Sequence, residues 1–237
     1  IVFGDWSSDV CSSDLGLKTY LDHVGAISTR DPDRDRLMAK TLLKGDAAWI
    51  IFPEGRMVKN KKIMERGRFM ILSESGKHRP HTGAATLALR TEFYRRRMKR
   101  ILHGAPDEAR RLMSLFEIDD LSRVEGLKTS IVPVNITYYP LRAHENLLSR
   151  LAVTLVEDLA DRTLEELMTE GSMLLSGVDV DIRFGAPIDA GAYLNHRAVE
   201  RDIAWPGYVS FDDPIPSARI LKKAAARLME RYMTAIY

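Results

Sequence analysis

The run Ala47-Ala48-Trp49-Ile50-Ile51-Phe52 is six consecutive apolar residues closed by Pro53-Glu54-Gly55. Unbroken apolar character over this length is the pattern of a strand buried on both faces. Upstream, Val24-Gly25-Ala26-Ile27 reads as a short strand leading into a turn at Ser28–Pro32. Between the two, residues 33–44 carry Leu37, Met38 and Leu42 at helical spacing. Acidic residues stand near the start, lysines near the end, and Gly45 supplies the stop. Strand, helix and strand within thirty residues form a βαβ unit, so the expected fold class is α/β: a mostly parallel or mixed central sheet flanked by helices.

Further along, Thr82–Arg90 reads as a helix of small residues, Pro106–Leu121 as another, Ile131–Tyr139 as the richest β segment, and Val178–Phe184 as an alternating strand with one solvated face. Helical patterning recurs through Leu147, Leu151, Leu155 and Leu159 and over 163–168. Residues 195–216 read as a loop, after which Ser217 caps an amphipathic helix over 217–235.

Charge is unevenly spread. The whole chain of 237 residues is +2, yet residues 56–100 hold fourteen Lys/Arg against three Glu, a net +11 that leaves −9 for the remainder. Such a field attracts anions, whether phosphorylated metabolites, lipid headgroups or nucleic acid. Arg95-Arg96-Arg97-Met98-Lys99-Arg100 suits an anionic membrane surface, or simply a solvated helix face. Phe93 and Tyr94 are its only neighbouring aromatics and no nucleic-acid reader motif is present, so no nucleic acid is expected as partner. The longest stretch free of Asp, Glu, Lys and Arg is Thr129–Leu141, interrupted by Pro133, too short to span a bilayer; any membrane contact is expected to be peripheral.

Residues 5–15 resemble a translated sequencing adapter, so residues 1–15 are read as non-native and 16–237 as one domain lacking its N-terminal part. The sole cysteine, Cys11, falls in that stretch. His78 and His81 stand three apart without a third ligand of suitable spacing, and no metal site is expected.

Glu54, Gly55 and Arg56 follow the expected buried strand, where ligands of open α/β sheets bind. Phe52-Pro53-Glu54-Gly55-Arg56, with Gly25 and Arg30 about twenty-five residues earlier and Val132-Pro133-Val134 later, resembles the glycerolipid acyltransferase family. His81-Thr82-Gly83-Ala84-Ala85 and Phe184-Gly185-Ala186-Pro187-Ile188 are similar to that family too, and the likeness covers most of residues 20–190.

The resemblance implies transfer of a fatty acyl group from acyl-CoA or acyl-carrier protein to a hydroxyl of glycerol-3-phosphate or lysophosphatidic acid in phospholipid biosynthesis. The enzyme would act at the cytoplasmic face of a membrane and carry no cofactor. Arg30 and Arg56 would bind phosphate, and Glu54 and Gly55 would shape the acceptor pocket. Lys59, Lys61 and Lys62 would add positive potential, while Gly25, Phe52, Pro53 and Pro133 would be structural. Two departures stand out: the family's threonine before Arg56 is missing, and none of the six histidines has Asp five residues later. The family's His-x4-Asp supplies the general base, so this chain is expected to be inactive. The alternative is a non-catalytic module binding anionic lipid or nucleic acid through residues 56–100.

Overall fold

The computed structural model describes residues 23, 25–28, 31–53, 63–65, 68–73, 76–140 and 178–236. The chain divides into two compact units, one of residues 1–133 with 186–237 and one of residues 134–185.

The first unit is organised around one long helix. Helix α1 (Arg34–Lys44) ends at Gly45, whose φ of +74° is left-handed and whose N–H reaches back to Leu42 O and Thr41 O. Strands β1 (Ile63–Glu65), β2 (Arg68–Ser73) and β3 (Gly76–His78) form an antiparallel meander, with Ile63 opposite Met70 and Ile71 opposite His78. Helix α2 (Gly83–Ile101) follows, then α3 (Pro106–Leu115) and the single turn α4 (Ser122–Glu125). Strand β4 (Ser130–Ile131) pairs antiparallel with β7 (Ile188–Asp189). A 3₁₀ turn (Ala190–Tyr193), α5 (Arg197–Ala204) and α6 (Ala218–Ile236) complete the unit. Helix α2 packs against α1, α3, α4, α5, α6 and the 3₁₀ turn. Its apolar residues, Leu87, Leu89, Phe93, Tyr94, Met98 and Ile101, leave no wide polar stripe, and a helix apolar on most sides is buried. Leu43, Leu112, Phe116, Leu194, Val199, Leu228 and Met233 close over it.

The second unit's described residues are one antiparallel ribbon, β5 (Val134–Pro140) and β6 (Val178–Phe184), in register from Val134 opposite Phe184 to Pro140 opposite Val178. Strict alternation places Val134, Ile136, Val180, Ile182 and Phe184 on one face and Asn135, Thr137, Asp181 and Arg183 on the other.

Several expectations need correction. Among the described residues every ladder is antiparallel and no central parallel sheet is seen. Ile27 and Ile51 each form only an isolated bridge, and Ile50 and Phe52 are exposed at 54% and 42%. A six-residue apolar run needs ladder neighbours on both sides to become a buried strand, and the described residues give it only the bridge at Ile51. The small-residue helix does not end at Arg90 but runs to Ile101.

The helix begun at Pro106 stops at Leu115, since Glu117 turns left-handed at φ 52°. The expected strand 131–139 is divided at Val132-Pro133, because proline donates no ladder hydrogen bond. The loop read over 195–216 contains α5, capped by His196 Nδ1 accepting from Ala198 N–H. Ser217 does precede α6, but its buried hydroxyl has no hydrogen-bond partner and caps nothing. The helical patterning over 147–168 and the whole of residues 1–15 lie outside the described residues.

Candidate functional site

Gly25 turns the chain with φ +71°, and none of the described residues would crowd a side chain there, so backbone handedness rather than space favours glycine. Ser28 O then accepts from Asp31 N–H, and Asp31 Oδ1 accepts from Asp33 N–H at 2.8 Å, an Asx turn that launches α1. Asp31, Asp33, Arg34, Asp35 and Arg36 line a polar hollow of about 430 Å³, whose far wall is Arg90 of α2 with Phe211 and Asp212. Its guanidinium groups are paired. Arg34 binds Asp35 through two nitrogens at 2.8 and 2.9 Å, Arg36 binds Asp33, and Arg90 lies 3.7 Å from Asp35 while donating to Phe211 O.

Arg90 also stacks over the Phe211 ring, 3.9 Å from its centroid. On the other side of that stack lies a second, apolar hollow of about 370 Å³ between the first half of α2 and the start of α6. Phe211 closes an aromatic cluster with Tyr94 (5.5 Å) and Phe116 (5.8 Å). The Tyr94 hydroxyl donates to Ser210 O at 2.9 Å, and burial pushes its pKa up to about 12.

The segment that carries Phe211 is held in place by arginines. Arg97 donates to the carbonyls of Asp202, Trp205 and Gly207 and to Glu108. Glu108 in turn accepts from Arg111 and from Val209 N–H, and Arg111 donates to Val209 O while lying over the Tyr208 ring. Burial alone would raise the Glu108 carboxyl, but the hydrogen bonds from Arg111, Val209 N–H and Arg97 outweigh it and hold the group below its ordinary value. Burial lowers the pKa of Arg97, and of Arg95, which is paired with Glu92 and hydrogen-bonded to Thr129 and Leu42 O.

The basic run at 95–100 is therefore not one exposed patch. Arg95 and Arg97 are buried, Arg96 reaches Gly191 O and Asn195, and only Lys99 and Arg100 face outward. Sequence reasoning missed this internal role. The signal was present: apolar residues surrounding α2 leave its polar side chains nowhere to go but inward.

Of the residues singled out beforehand, Arg30, Glu54, Gly55, Arg56, Lys59, Lys61 and Lys62 lie outside the described residues. Phe52 is exposed, while Pro53 is buried and its carbonyl accepts from His81 N–H at 3.2 Å, which ties the end of the apolar run to the residues that open α2. Pro133 is buried between β4 and β5. The rings of His78 and His81 are 5.3 Å apart, and among the described residues no group of three metal-ligating side chains forms. No described helix is long and apolar enough to cross a membrane. No protein-family model, curated protein or solved structure matches the chain.

Proposed function

We propose that the chain belongs to a glycerolipid acyltransferase, which moves a fatty acyl group from a coenzyme A or acyl-carrier-protein thioester to a hydroxyl of glycerol-3-phosphate or lysophosphatidic acid. One observation supports this reading above the rest. The stretches beside both proposed phosphate-binding arginines come to α2 or to the residues just before it: Asp31–Arg36, just after Arg30, face Arg90, and the carbonyl of Pro53, just before Glu54, accepts from His81 N–H, two residues ahead of the helix.

In this reading Arg30 and Arg56 grip the acceptor's phosphate with planar, bidentate geometry, and Glu54 and Gly55 shape the pocket for its glycerol. A His-x4-Asp pair takes the hydroxyl proton as oxygen attacks the thioester carbon; the thiolate leaves and receives that proton back. That pair is absent from these 237 residues. Exposed Arg100 offers part of the positive charge for peripheral contact with the cytoplasmic face of an anionic membrane, while Lys99 beside it is paired with Glu125 at 2.7 Å.

The experiment is an acyl-transfer assay with both acceptors, on this chain and on one extended by its natural upstream sequence. The extended chain should acylate one acceptor, lose that activity with Glu54→Ala, and leave the shorter chain silent. Turnover by the shorter chain, or none by an extended chain carrying His-x4-Asp, would overturn the reading.

A further inference from the structure

The apolar hollow is a cavity that the acyl-transfer argument does not use. Its floor is Leu89, Phe93, Phe211, Ile215 and Leu221, and Thr86 and Ala218 form opposite walls. Two cations and two carboxylates stand at its rim: Arg90 and Lys222 against Asp212 and Asp213. Arg90 is already engaged by Asp35 and Phe211 O. Counting Asp35, which Arg90 already engages, two cations stand with three carboxylates, so the charges about the hollow disfavour an anionic ligand, while its lining offers an aliphatic and aromatic surface within the size range of small-molecule sites. Through the Arg90–Phe211 stack it adjoins the polar hollow. An apolar lining, surrounding charges that disfavour an anion and a polar neighbour match a small amphiphile with an uncharged head.

We propose that this hollow binds the unbranched alkyl chain of such a molecule, with its neutral polar end directed past Arg90. The assignment goes beyond the acyl-transfer reading, whose donor and acceptor both carry phosphate, and does not rest on it. Binding to the isolated protein is a separate measurement from turnover, so the two can fail independently.

The test is calorimetric titration of the full chain with the n-alcohols from hexanol to decanol and with the matching carboxylates. Affinity for the alcohols should rise about fourfold per added methylene, the factor expected when each one leaves water. Each carboxylate should bind no tighter than its alcohol. Ala218→Phe and Thr86→Phe, which fill the hollow from opposite walls, should each abolish the length dependence while thermal unfolding stays cooperative. Affinity independent of length, a carboxylate more than tenfold tighter than its alcohol, or unchanged binding in both cooperatively folded variants would overturn the assignment.

Discussion

The Arg97 guanidinium lies 2.6 Å from the carbonyl oxygen of Gly207, 110 residues away in sequence. With its bonds to Asp202 O, Trp205 O and Glu108, this fully buried side chain supplies the internal partners of a segment that has no ladder of its own. Arg97→Met should leave three carbonyls and the Glu108 carboxylate short of a donor and destabilise the protein by about 3–5 kcal/mol. Arg97→Lys should rescue little, since one ammonium cannot reproduce a planar fork. Urea midpoints check both, and limited proteolysis should show new cleavage between 202 and 211.

Glu108 makes that clamp sensitive to acid. Its folded pKa lies below the ordinary value of 4.5, so the folded state holds fewer protons than the unfolded one in that range. The stabilisation is complete above the ordinary value and is lost as pH falls through the lower folded value. Urea midpoints taken from neutral pH down to about pH 3 should fall in the parent. In Glu108→Gln they should start lower and fall less steeply.

Gly45 combines left-handed backbone with a tight neighbour: a Cβ there would stand 3.1 Å from Leu127 Cδ1. Gly45→Ala should cost about 1–2 kcal/mol from the backbone alone. At Gly104 no described residue beyond its chain neighbours comes within 4 Å of a Cβ, so Gly104→Ala should stay within about 0.5 kcal/mol of the parent. Thermal denaturation of the two variants side by side makes the comparison.

Tyr94 should be recognisable by titration. Its phenol ionises near 12, later than an ordinary tyrosine, so the alkaline rise of phenolate absorbance should end with a late step that Tyr94→Phe removes. The same variant loses the bond to Ser210 O and should be less stable by about 1 kcal/mol.

Local rules carried the parts of the fold that end in strong punctuation. The acidic start and Gly45 stop of α1, the proline opening α3, the alternation of β6 and the start of α6 after Ser217 all stand close to where sequence places them. What could not be read locally was pairing. The Ala47–Phe52 run reads as a strand whatever lies beside it, but its ladder depends on residues distant in the chain. The Arg95–Arg97 run looks like surface until the helix bearing it is known to be central, because its burial depends on partners distant in sequence: the carbonyls near residue 205, Leu42 O, Gly191 O, Thr129 and the Glu108 carboxylate, with Glu92 beside them. Helix α5 was hidden by the prolines and glycine around it, although Val199 and Ile203 stand four apart on one face. The candidate site was legible only as far as its flanks, Gly25, Pro53 and His81; Arg90 and Phe211 come together through packing alone.

Because the arginines grip main-chain oxygens, the path of residues 202–211 is imposed largely from outside, with the side chains of Asp202, Tyr208, Ser210 and Phe211 adding contacts of their own. Foreign side chains at Pro206 and Val209 should therefore inherit the same trajectory, which makes this stretch a natural place to display them in a predetermined shape.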